Sequence, residues 1–158
     1  MKKIIIATAI ALSAVSAWSE EHQSAGSYEL GVAAGKDYGT HENLTALSLG
    51  VPIGSSGFKG VLEYAKGRHG EAGADVTSLK VAKEIFSVGH AEFGVAGGYA
   101  HSAALEESGN GWVVGAEATY PLTKKVSAKL EASRFYGVGS ISHVKANVVQ
   151  AGLVYKFD

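Results

Sequence analysis

The chain has 158 residues, enough for one domain, with 14 Lys and Arg against 15 Asp and Glu and no cysteine. That composition excludes disulfides, thiolate metal sites and a cysteine nucleophile, and the near-neutral balance gives no basis for nucleic acid as a partner. Charged residues make up only 18%, there are 21 glycines, and mean hydropathy is above zero, a combination that suits a surface partly in contact with lipid.

The N-terminus opens with Lys2 and Lys3, an apolar run from Ile4 to Val15, and small residues at Ala14, Ser16 and Ala17. This is the layout of a secretory signal peptide cleaved after Ala17, and the run is too short for a spanning helix. The expected organisation is therefore a signal peptide over 1–17 and a single domain over 18–158. Losing Lys2 and Lys3 leaves 12 basic against 15 acidic residues, a net charge of −3.

Downstream of a polar lead-in, apolar residues recur at every second position, the period of a two-faced β-strand. Tyr28, Leu30, Val32 and Ala34 begin the series, and Asp37 to Asn43 reads as a loop. Thr45 to Ile53 follows, then a tight turn at 54–57 and a strand with Phe58, Leu62 and Tyr64 on one face. After a loop at 67–73, Leu79, Val81 and Ile85 alternate with Ser78, Lys80, Ala82 and Glu84. A turn near Ser87 leads to Phe93, Val95 and Tyr99, and 101–110 reads as a loop. Trp112 to Tyr120, Val126 to Ala132 and Val149 to Phe157 complete the set, with a further loop predicted from Phe135 to Val144. The result is eight strands of about nine to eleven residues, the length that crosses a bilayer when tilted.

The second face decides which side meets lipid. Gly and Ala dominate it, a composition that fits the cramped interior of a small barrel better than a wetted surface. Its charges, Glu29, Lys59, Glu63, Lys80, Glu84, Glu92, Glu117, Lys129, Glu131 and Lys156, are expected to form a paired lumen network, since an unpaired buried charge costs several kcal/mol. Aromatic residues near the strand ends form two belts: Tyr28, Phe58, Tyr120, Tyr155 and Phe157 at the turn end, and Tyr64, Tyr99 and Trp112 at the loop end. The predicted fold is all-β, a closed eight-stranded antiparallel up-and-down transmembrane barrel. A soluble lipocalin-like barrel is the structural alternative.

The closing segment Gly152-Leu-Val-Tyr-Lys-Phe157 resembles the last strand of Gram-negative outer-membrane barrels, although Asp158 follows the terminal aromatic. Taken whole, the chain resembles the small eight-stranded barrels of the OmpX, Ail and NspA type and the OmpA transmembrane domain. That resemblance implies an outer-membrane location and recognition of the Phe157 strand by the barrel-assembly machinery. It also implies outer-membrane lipid and lipopolysaccharide as surroundings, with no cofactor. Members act as adhesins, defences, envelope stabilisers or lipid A-modifying enzymes, and the fold does not choose among these.

A non-enzymatic envelope or surface-interaction role with a packed lumen is the expectation, because an eight-stranded lumen has room only for side chains. Loops of about eight to ten residues are short for a deep binding crown and favour the envelope role. The enzymatic alternative needs His, Ser and an acid together. Its candidates are His101 with Ser102 and Glu106 or Glu107, and His143 with Ser140 or Ser142. His41, His69, His101 and His143 put one imidazole in each predicted loop; a zinc site assisted by Glu42 or Glu71 is the alternative to scattered surface histidines. Lys36, Lys66, Arg134 and Lys145 continue the lipid-facing parity past the apolar band, where they would meet lipopolysaccharide phosphates.

Overall fold

The structure, a computed structural model, describes residues 27–38, 41, 43–55, 57–67, 75–103, 108–137 and 145–157. Residues 1–17, the expected signal peptide, lie outside that set. Eight strands follow in order: β1 (Tyr28–Asp37), β2 (Asn43–Ile53), β3 (Phe58–Gly67), β4 (Asp75–Val88), β5 (Ala91–Ala103), β6 (Ser108–Pro121), β7 (Val126–Tyr136) and β8 (Lys145–Phe157). Each pairs antiparallel with its neighbours in sequence, and β1 pairs with β8 from Tyr28↔Phe157 to Asp37↔Val148, closing the barrel. Closure gives every strand two partners and leaves no sheet edge to be satisfied by solvent.

Burial is inverted relative to a soluble protein. Lys80, Glu131, Val113 and Ser78 are the largest fully buried side chains, while Leu30, Val32, Leu79, Val95, Leu130 and Leu153 are exposed on the outer wall. A continuous apolar exterior around a charged interior is built for lipid, which removes the lipocalin-like alternative. The aromatic belts also pack across strands. Tyr28 and Phe157 stack at 5.9 Å over the β1–β8 seam, and Tyr99 meets Trp112 edge-on at 6.2 Å.

The strands run further toward the loop end than the apolar alternation does. Residues 101–103 and 108–110 are paired in β5 and β6, Phe135 and Tyr136 belong to β7, and Asp37 and Asn43 close the ends of β1 and β2. The ladder is held by backbone hydrogen bonds and continues where the outward side chains turn polar. Hydropathy therefore marks the lipid band, and the strand is longer. At the turn end, Gly54, Gly57 and Gly89 adopt positive φ. The β4–β5 hairpin carries a bulge between Glu84 and Phe86 and overhangs β3, whose pairing with β4 ends at Phe58↔Lys83. The overhang brings Phe86 onto Phe93 at 5.0 Å, an interfacial aromatic pair that the alternation does not mark.

Two adjacent glycines separate close approach from flexibility. A Cβ on inward-facing Gly98 would overlap the Leu79 carbonyl oxygen and lie 2.7 Å from Lys80 Cα, whereas one on outward-facing Gly97 meets nothing nearer than 3.7 Å. Backbone cannot rotate aside as a side chain can. Gly98→Ala is expected to lower the unfolding free energy by about 1–3 kcal/mol, and Gly97→Ala to leave it unchanged, as read by urea titration of the refolded barrel.

Candidate functional site: the lumen and the outer rim

The lumen has three layers. At the turn end is an open vestibule of about 370 Å³ with Glu29, Lys59, Glu84, Glu92, Glu117 and Lys156 among its lining residues. Lys59 Nζ lies 2.7 Å from Glu29 Oε2, while Lys156 reaches Glu29 at 4.0 Å and Glu92 at 3.9 Å. Glu84 is exposed and has no ion-pair partner among the described residues, which corrects its expected place in the network. It sits on the β4 overhang, where β3 has already ended and its β5 partner is Gly94, so neither neighbouring strand offers a cation.

The middle layer is a continuous chain of polar side chains. Lys80 Nζ contacts Glu131 Oε1 at 2.6 Å and Glu63 Oε2 at 3.1 Å. Gln150 Nε2 donates to Glu63 at 3.1 Å, and Ser133 Oγ donates to Glu131 at 2.6 Å. Lys129 lies 2.9 Å from Glu131 Oε2 and 2.7 Å from Glu117 Oε2. The chain Gln150–Glu63–Lys80–Glu131–Lys129–Glu117 thus joins β8, β3, β4, β7 and β6 across the lumen.

Toward the loops the interior turns apolar: Leu44, Ala100, Val113, Phe135 and Val148 pack together, with Val76 against them. Sequence reasoning missed this layer. The signal was present as inward-parity Leu44, Val113, Phe135 and Val148, all beyond or at the margin of the recognised alternation. Beyond the vestibule, paired charges and then apolar side chains fill the lumen among the described residues.

Strand parity overturns the local catalytic candidate. His101 and Ser102 are consecutive residues of β5, so they face opposite sides of the wall. His101 is exposed outside with Nδ1 2.6 Å from Asn110 Oδ1, and Ser102 is buried inside. Glu106, Glu107, Ser140, Ser142 and His143 lie outside the described residues. The same placement takes His101 out of the four-loop histidine crown, because it is on the barrel wall. His41 is exposed with φ 63°, and His69 lies outside the described residues. Among the described residues, no group of three His, Asp or Glu side chains is arranged to hold a metal.

Lys36, Lys66 and Arg134 are exposed on the outer wall at the loop end; the Lys145 side chain lies outside the described set. Lys36 pairs with Asn43 and Val149, Lys66 with Thr45 and Asp75, Arg134 with Val114 and Asn147, and Lys145 with Tyr136. Arg134 is held 5.3 Å over the Tyr136 ring. Asp75, opposite Lys66, accepts the Tyr64 hydroxyl hydrogen bond at 2.7 Å.

No protein-family model matches the sequence, and no curated protein matches it. Solved structures do. The Neisserial surface protein NspA superposes with a TM-score of 0.62 at 11% identity, covering 83% of this chain and 95% of its own. Ail, the attachment invasion locus protein of Yersinia pestis, gives 0.55 at 12% identity over 84% and 97%. A de novo designed transmembrane β-barrel gives 0.61 at 13% identity over 85% and 98%. The shared property is the fold, a closed eight-stranded transmembrane barrel.

Proposed function

We propose that this chain is an outer-membrane barrel with a closed lumen, acting at the cell surface or in the envelope without catalysis of its own. The carrying observation is the interior: five strands are tied by one charged network, and an apolar layer seals it from the loop end. A transport role would need a wider or emptier lumen. The opposed directions of His101 and Ser102 weigh against a local acyl-transfer site on β5. NspA is named a surface protein and Ail an attachment protein, which supports a surface-interaction role on the same scaffold. In this reading residues 1–17 direct export and are removed after Ala17, and the strand ending at Phe157 is presented to the barrel-assembly machinery. Lys36, Lys66, Arg134 and Lys145 meet lipopolysaccharide phosphates at the outer rim.

Fractionation tests the reading. The protein is expected in outer membranes, migrating differently on SDS gels before and after boiling, with the lipid A mass spectrum identical whether or not the chain is expressed. Recovery as soluble periplasmic protein would overturn the membrane assignment, and a changed acyl content of lipid A would restore the enzyme.

A further inference from the structure

The outer wall at β6–β7–β8 is not uniformly convex. A shallow, open depression of about 350 Å³ lies on it, with Val114, Ala132, Arg134, Asn147 and Val149 among its lining residues. Ala132 is opposite Ala116 on one side and Val149 on the other, so the floor is low where Val114 and Leu130 stand exposed around it. Arg134 and Asn147 are directly opposite one another at the loop-end head of this groove. We infer that the groove seats one acyl chain of a lipid A molecule whose phosphate is held by Arg134. The inference rests on the outer-membrane reading and deepens it.

Three features support this occupant. A planar guanidinium fits a phosphate with two parallel hydrogen bonds, and the Tyr136 ring beneath Arg134 holds that plane at 5.3 Å. Among the described residues, the outward-facing positions of β1, β6, β7 and β8 carry no carboxylate, so nothing there neutralises Arg134 or Lys36. Lys66, on the other side of the barrel, is opposite Asp75 and lacks that advantage. The shape agrees with the charge: a cationic head beside an apolar hollow at Ala132 and Val149, the next outward row toward the bilayer, matches a phosphorylated lipid and not a soluble anion. In the outer-membrane reading the loop end faces the outer leaflet, whose phosphorylated lipid is lipid A.

Native mass spectrometry of the barrel released from nanodiscs of phosphatidylcholine doped with lipid A counts the bound molecules. The wild-type barrel is expected to retain one lipid A. Arg134→Gln should weaken retention at least tenfold, since hydrogen bonds to charged groups are worth about 1.5–3 kcal/mol. Ala132→Trp fills the hollow while leaving Arg134 in place and should weaken retention as much; Ala132→Leu should weaken it less. Lys83→Gln, on the outer wall at the opposite, turn end beside Phe58, should change nothing. Heat-dependent gel mobility verifies that each variant is folded. Retention by Ala132→Trp equal to wild type would overturn the slot while the phosphate contact survives. Equal retention by every variant, or equally tight binding of phosphatidylglycerol, would overturn the site altogether. Failure of the protein to enter nanodiscs would instead overturn the outer-membrane reading beneath it.

Discussion

Lys80→Met is expected to lower the unfolding free energy of the barrel by about 3–5 kcal/mol, the cost of breaking a buried ion pair by removing one partner. Lys80 is 1% exposed and serves two carboxylates, so its loss affects both. Glu63 would keep only the Gln150 amide, and Glu131 would keep Ser133 and a Lys129 already shared with Glu117. Methionine has nearly the same length and fills the space, so the loss reports charge and not volume. Urea titration of the refolded protein in detergent measures it. Adding Glu63→Gln and Glu131→Gln to Lys80→Met should recover most of the loss, because a neutral set has no charge to strand. A loss below about 1 kcal/mol for the single variant, the range of exposed pairs, would mean that water already screens the network.

Phe135→Ala should cost about 3–5 kcal/mol, the range for a large aromatic removed from a packed core. Phe135 is 7% exposed and anchors the apolar layer with Leu44, Val113 and Val148. The rigid barrel wall cannot collapse onto the space vacated, so the cavity term is retained in full. The charged layer below still closes the lumen, and planar-bilayer recordings of this variant and of the wild type should show no steady openings. Large, ion-selective conductance from the wild-type barrel would refute the sealed lumen, and a stability loss near zero would show that the apolar layer is loosely packed.

How much of this was legible depended on how local each cause is. Alternation placed Leu47, Val95 and Leu153 outside and Glu63, Lys80 and Glu131 inside, because successive side chains of a strand must point to opposite faces. The same rule separates His101 from Ser102, but only once β5 is known to continue to Ala103. The outward residues there are no longer apolar, so the hydropathy signal ends before the ladder does. Glu84 shows the opposite failure: its parity marked it as inward, yet inward parity does not supply a partner. The β4 overhang beyond Phe58↔Lys83 left it alone in the vestibule.

The sequence by itself determined the strand number, the two faces and the character of each, since these follow from side-chain direction residue by residue. Only the tertiary structure decided which inward charges meet. Glu63, Lys80, Glu131 and Gln150 come from four strands, and their contacts depend on the stagger with which the sheet closes on itself. Likewise, the groove under Arg134 is formed by the opposition of Ala116, Ala132 and Val149 on three neighbouring strands. No single strand carries that register; it is set by the whole ring of backbone hydrogen bonds closing at Tyr28↔Phe157.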